Sequence, residues 1–244
     1  MNSDGGGLVR QEGNLLAYAV LDTGQPFRLP TIRGLEDADL ETRQVTGLQV
    51  VYSRLPPQPA APDHGQLRAF YEVIERLHAR YDILPLRWGQ YFSDPQALTR
   101  ALAADAELYL KRLTRLVGVT EMGIRFLPTD RQAAPETVSR YSPESRGRAF
   151  LEQRRARYGL DAVVQARRRR IKETCCSSFA GLFRELKGET AQTQGTDSQA
   201  MILVSFLIPR PLVESFRRTY AELRPFEGGR TLLTGPWPPF NFAV

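Results

Sequence analysis

Histidine and cysteine are scarce, with two of each among 244 residues. His64 and His78 are separated by about four helical turns, about 21 Å along the axis, so they cannot share a metal ion. Cys175 and Cys176 are adjacent. Neighbouring side chains on a helix diverge by about 100°, which excludes a mutual disulfide without distorted backbone. The pair also lacks the C-x-x-C spacing of zinc and redox sites. It reads as a buried small hydrophobe, Cys175, beside a partly exposed neighbour. No G-x-x-x-x-G-K-[ST] phosphate loop and no G-x-S-x-G elbow occur. Gly5-Gly6-Gly7 precedes no strand–helix unit, and Gly228-Gly229 stands before a strand, where it makes a turn rather than a phosphate cradle. These absences predict a chain that is not an enzyme, with no cofactor, no metal and no small-molecule substrate. Long apolar runs are missing as well. The longest, Met201 to Ile208, has the length of a strand, whereas a membrane span needs about 20 apolar residues. The opening residues are glycine-rich and have no apolar h-region, so neither a membrane nor a signal peptide is expected.

Lysine is nearly absent: 30 of the 33 cations are arginine, which favours planar, multidentate partners. The charge is unevenly spread. Residues 1–118 hold 13 basic and 14 acidic side chains, and residues 119–244 hold 20 and 13. The first part is near neutral and the second carries about +7.

The remaining pattern is an alternation of strands and helices. Met1 to Gly13 is read as a disordered leader. Asn14 to Leu21 (NLLAYAVL) reads as a buried strand and Thr46 to Ser53 as a second. Four prolines between Leu55 and Pro62 mark a loop. Asp63 with Gln66 forms a capping box, opening a helix whose stripe is Leu67, Phe70, Tyr71, Ile74 and Leu77. Tyr81 to Phe92 is extended but interrupted by Pro85 and Gly89, so it is an edge strand or an extended crossing. Ser93 is read as the cap of one further helix, with the stripe Leu98, Leu102, Tyr109, Leu113 and Leu116, closed by Gly118. Val119 to Leu127 is a strand, and a domain boundary is placed at its start.

A long helical region is expected from Ser142 to about Lys187, bent near Gly159, with Ile171, Cys175, Phe179, Leu182 and Leu186 on its apolar face. Gly188 to Gln199 reads as a flexible loop. Met201 to Ile208, apolar on both faces, suits a central strand. A helix with the stripe Leu212, Val213, Phe216, Tyr220 and Leu223 follows, then a strand and a Pro/aromatic tail. The fold class is therefore α+β with two domains, 14–118 and 119–244, the second ferredoxin-like with a long helical region and carrying the tail.

From Arg140 to Lys187 there are 13 basic and 5 acidic residues. Arg167, Arg168, Arg169 and Arg170 are consecutive, so on a helix they wrap its circumference. One or two must approach the apolar face and snorkel or pair. The segment is read as a solvated face or, with Arg154 and Arg155, as a surface for an acidic protein. A basic-helix nucleic-acid module is the alternative, although neither interleaved aromatics nor a helix-turn-helix accompanies the arginines.

Four segments together resemble the gas vesicle protein F/L family. ILPLRWG (Ile83 to Gly89) is similar to its v-L-P-x-R-F-G, with Trp88 in place of phenylalanine. LTRLVGVTEMGIRFL (Leu113 to Leu127) resembles its L-x-G-x-x-E strand entry, and SRGRAFLEQRR (Ser145 to Arg155) its G-r-a-Y-L-x-x-[KR]-[KR]. LTGPWPPFNF (Leu233 to Phe242) is similar to the terminal tGPWPPYsF, with Phe240 for tyrosine. The sequence departs in the helix before ILPLRWG, where the family often has a histidine and this chain has Phe70 and Tyr71. The resemblance implies a non-enzymatic accessory protein of gas vesicle assembly in the cytoplasm, associated with the vesicle. Its partners would be the small hydrophobic shell protein, whose aggregation it would limit during nucleation, and other gas vesicle proteins. Trp88, Trp237 and Phe240 join the arginines as candidate contact residues. The prolines between Gly235 and Phe240 stiffen the tail and favour packing of Trp237 and Phe240 back onto the second domain.

Overall fold

Strand β1 (Asn14–Asp22) is an almost unbroken apolar run, and every residue from Leu15 to Leu21 is buried. That demands cover on both faces, and the surrounding elements supply it. The computed structural model describes residues 14–56, 62–129, 165–192, 200–223 and 225–243. Strands β2 (Leu40–Val45) and β3 (Leu48–Leu55) form a hairpin whose register pairs Val45 with Leu48. Its two turn residues, Thr46 and Gly47, have φ of 50° and 81°, as a two-residue turn matched to strand twist requires. β3 pairs antiparallel with β1. On the other side of β1 lie two very short strands, β4 (Leu84–Pro85) and β5 (Tyr91–Phe92). The interrupted segment read around Pro85 and Gly89 is therefore an edge made of two pieces.

Helix α1 (His64–His78) opens with the expected capping box: the Gln66 amide donates to Asp63 Oδ1 at 2.7 Å, and the Asp63 amide donates to Gln66 Oε1 at 3.2 Å. It buries Phe70, Val73, Ile74, Leu77 and His78. Val73 takes the place expected for Tyr71, which is 37% exposed. The helix expected after Ser93 is two helices, α2 (Pro95–Ala104) and α3 (Ala106–Arg115), broken at Asp105. Its cap is Asp94, whose Oδ1 accepts from the Ala97 amide at 2.7 Å; Ser93 instead donates its hydroxyl to Asp94 Oδ2. A carboxylate one residue nearer to Pro95 is the stronger acceptor. Arg43, cross-strand from Val50, donates to Thr99 of α2, while Val51 packs with α1. The helices thus cover opposite faces of the sheet.

The later elements are β6 (Val119–Pro128), α4 (165–178), β7 (Glu185–Gln192), β8 (Ala200–Pro209), α5 (Val213–Glu222) and β9 (Gly229–Trp237). The second sheet has the order β7-β8-β6-β9. β8 is central, as its two-sided hydrophobicity predicts: Ile202, Val204, Phe206, Leu207 and Ile208 are buried, while Leu203 is only half-buried. Of the helical region expected from Ser142, residues up to 164 lie outside the described ones. The helix stops at 178, and the stretch read as the end of that helix and the start of a flexible loop is strand β7. It pairs antiparallel with β8 alone, Leu186 opposite Phe206 and Lys187 opposite Ser205. An edge strand needs one apolar face only, so its polar composition disguised it. Residues 193–199 lie outside the described ones.

Ile171, Cys175 and Phe179 recur every four residues and are buried against Met122, Ile124, Phe126, Phe206 and Phe216. Phe179 stacks on Phe216 at 4.2 Å between centroids. The α5 stripe contributes Leu212, Val213, Tyr220 and Leu223 to the rim of this core. Gly229 is obligatory here, since a Cβ would stand 2.3 Å from the Phe126 ring.

The chain divides into two compact units, Met1–Val119 with Trp237–Val244, and Thr120–Pro236. The tail thus belongs to the first unit, contrary to its expected place in the second. Phe242 is fully buried, and its carbonyl accepts from Arg115 of α3 at 2.7 Å.

Candidate docking surfaces

Two sequence signatures far apart in the chain meet on α1. Trp88 sits at the turn between β4 and β5, where Gly89 has φ of 95°. The turn is fastened to β1 by the Leu86 amide donating to the Tyr18 carbonyl at 2.9 Å and the Ala17 amide to the Gln90 carbonyl at 3.1 Å. Trp88 is half-buried and meets Phe70 edge-on at 5.2 Å and Tyr91 at 6.1 Å. Phe240 stands in a single 3-10 turn, Phe240–Phe242, held by its amide donating to the Pro238 carbonyl at 2.8 Å. It meets Tyr71 edge-on at 5.3 Å, and Tyr71 in turn lies 5.4 Å from Phe70. Each such contact adds about 0.5–1.5 kcal/mol beyond burial.

Below this surface, Tyr18 stacks on Phe70 at 5.2 Å. Its hydroxyl is shared with Ser53 Oγ at 2.8 Å and accepts from the Leu35 amide at 2.8 Å. Burial pushes the Tyr18 phenol above its ordinary value despite these bonds. The Tyr91 hydroxyl is buried and has no hydrogen-bond partner among the described residues. Burial, then the neighbouring Tyr18 and Glu36, raise its pKa too. Phe240 therefore packs as predicted but on the first unit. Trp237 is 41% exposed. The helical stripe read from the sequence places Tyr71 in the core, whereas its ring lies at the surface between Phe70 and Phe240. The signal was present, because a fifth apolar position widens the stripe beyond what one helix face buries.

The arginine run opens α4, and its four side chains diverge as helical geometry requires. Arg167 lies over the Phe126 ring, 5.8 Å from its centroid. Arg168 donates to the Gly188 carbonyl on β7. Arg169 and Arg170 stand 78% and 76% exposed, at 3.8 Å from Glu173 and 3.6 Å from Glu227. Exposed pairs at such distances contribute about 0–1 kcal/mol and leave the cations available. Only half of the cluster is thus presented outward. Arg154 and Arg155 lie outside the described residues.

Cys175 is buried, and burial, with Cys176 beside it, pushes its thiol up to about 12. Among the described residues no three His, Cys, Asp or Glu side chains gather as a metal site. No helix there is long and apolar enough to cross a membrane.

The described residues thus define an α+β protein of two units, the first carrying a cluster of part-exposed aromatic rings and the second two exposed arginines on α4. The chain belongs to the gas vesicle synthesis protein GvpL/GvpF family, whose model matches residues 14–244. It is 28% identical to gas vesicle protein F of Streptomyces sp. (strain CB03234), covering 92% of this chain and 97% of that one. Gas vesicle protein L of the same strain is 27% identical, over 72% of this chain and 68% of the relative. Crystal structures of GvpF from Microcystis aeruginosa and Anabaena sp. PCC7120 share the fold. Their TM-scores are 0.67 and 0.65 at 16% and 17% identity, each covers 95% of this chain, and the match spans 99% and 96% of theirs.

Proposed function

We propose that this chain is an accessory protein of gas vesicle assembly that binds the small hydrophobic shell protein and limits its aggregation while the vesicle nucleates. The family match along almost the whole chain supports the assembly role. The convergence of Trp88 and Phe240, one from each end motif, on the Phe70–Tyr71 pair of α1 carries the binding reading. Rigid, half-exposed aromatics offer apolar contact area at low entropic cost, the property shared by interface hot spots. A self-assembling hydrophobic subunit aggregates unless its surface is shielded. Shielding needs stoichiometric binding alone, so it requires no nucleotide or catalytic group. Arg169 and Arg170 are proposed to add contacts to an acidic face of another gas vesicle protein.

The test is aggregation of purified shell protein followed by light scattering. Near-equimolar wild-type chain delays it, and Trp88→Ala with Tyr71→Ala shortens the delay without unfolding the protein. Deletion of the chain from its host sharply reduces vesicle number. Vesicles in normal number without it, or suppression far below equimolar amounts, would reject this mechanism.

A further inference from the structure

The second unit's sheet carries α4 and α5 on one face, over Met122, Ile124, Phe126, Ile202, Val204 and Phe206. The alternate residues of β6 and β9 point the other way. The Thr129 amide donates to the Gly228 carbonyl at 3.0 Å, and Thr234 Oγ1 donates to the Gly123 carbonyl at 3.2 Å. These two contacts fix an antiparallel register that sets Arg125 across from Leu232 and Leu127 across from Arg230. Leu127 is 40% and Leu232 52% exposed, with both arginines exposed beside them. Leu203 of β8, half-buried, lies on the same face, 3.5 Å from where a Gly123 Cβ would be, and beyond it the face is closed, with Glu121, Ser205 and Leu207 buried.

The block is a chequer: one diagonal is apolar, the other cationic. Strands lie about 4.8 Å apart and like-facing residues about 6.7 Å apart along each, so either diagonal spans about 8 Å. A sheet face is ordinarily covered, as this sheet's other face is by helices and as this face is at Glu121, Ser205 and Leu207, so the open part is the block around Leu127 and Leu232. Adjacent exposed leucines on a regular strand pair are the informative case of exposed apolar surface.

We propose that this face docks an acidic amphipathic helix of another protein. An apolar stripe at i, i+3, i+4 and i+7 would lie over Leu127 and Leu232. Glutamate or aspartate beside the stripe would reach Arg125 and Arg230, where a planar guanidinium binds carboxylate in bidentate fashion. A second copy of this chain fits worse, because two such faces brought together cannot neutralise one another's arginines. Single-stranded RNA fits worse because the face has leucines where base stacking needs aromatic rings. The proposal stands apart from the shell-protein reading, which rests on the first unit.

The experiment titrates the full chain into two labelled synthetic helical peptides with the same leucine stripe, one flanked by glutamate and one by lysine. Fluorescence anisotropy reads binding. The glutamate peptide binds about tenfold more tightly than the lysine peptide, and the double variant Arg125→Glu/Arg230→Glu abolishes that preference. Leu232→Asp weakens the glutamate peptide by about tenfold. Leu232→Ser serves as a second variant, and unchanged urea midpoints establish that both remain folded. Equal binding of the two peptides, no binding of the glutamate peptide, or undiminished binding by the variants overturns the proposal. So does poly(U) RNA binding that the same substitutions remove, or a dimer in sedimentation that Leu232→Asp dissociates.

Discussion

Tyr71 and Phe240 meet edge to face at 5.3 Å, joining the middle of α1 to the end of the chain. The contact is anchored by Phe242, two residues on and fully buried. Phe242→Ala is expected to destabilise the first unit by about 3–5 kcal/mol, the range for a large-to-small core change. Phe240→Ala, at a half-buried ring, should cost clearly less. Urea melts of the two variants check the order, and equal small losses would mean that the tail does not contribute to that core.

Tyr91 places a hydroxyl where the described residues offer no partner. An unsatisfied buried polar group costs about 1–3 kcal/mol. Tyr91→Phe keeps the ring against Trp88 and is expected to leave the urea midpoint unchanged or raise it. A marked fall would show that the hydroxyl has a partner after all.

The four arginines of α4 should separate into two classes. Arg168→Ala removes a charge-assisted bond to the Gly188 carbonyl, and the expected loss is about 1.5–3 kcal/mol. Arg167→Ala forfeits the Phe126 contact, worth about 0.5–1 kcal/mol. The double reversal Arg169→Glu/Arg170→Glu should stay within about 0.5 kcal/mol of wild type, as exposed substitutions do. It should nonetheless weaken capture of gas vesicle components in a pull-down at low salt. Binding of wild type to generic RNA with a steep salt slope would favour the nucleic-acid alternative instead.

Thiol labelling distinguishes the adjacent cysteines. Burial keeps Cys175 protonated, its thiol raised to about 12, while Cys176 is exposed. Iodoacetamide at pH 8 is expected to modify Cys176 in the native protein and both residues after denaturation. Mass spectrometry of the digest reads the sites.

Asp94 makes one contribution to acid stability. The Ala97 amide and the Ser93 hydroxyl hold its carboxyl below the ordinary aspartate value. A depressed folded pKa means that stability is present above the unfolded value and lost as pH falls through the folded one. Asp94→Asn keeps a neutral cap of similar strength. The variant should match wild type near pH 7 and lose less stability on acidification, a difference read from urea midpoints across the acid limb.

Much of the first unit was legible because its signals are local. Asp63 and Gln66 specify their helix start within four residues, and β1 declares itself by an unbroken apolar run. β2 escaped because Leu40–Val45 alternates weakly and because Thr46-Gly47, unlike Asn-Gly or Asp-Gly, does not announce the two-residue turn that joins it to β3. β7 escaped because an edge strand buries one face only, so that Leu186 alone among its described side chains enters the core. The division at Asp105 has no breaker residue to announce it. The aromatic surface was half legible. Trp88 and Phe240 could be singled out by their motifs, but only tertiary contact brings them to neighbouring residues of α1.

The tail's place in the first unit inverts the usual order of folding during synthesis. A protein made from its N-terminus generally completes its first domain first. Here all four strands of the second sheet precede Phe240 and Phe242 in the chain, so the first unit is completed by residues made after the whole of that sheet. A fragment ending at Val119 would lack part of its own core. Joined to a peptide bearing PPFNFAV through a short flexible link, it should recover it.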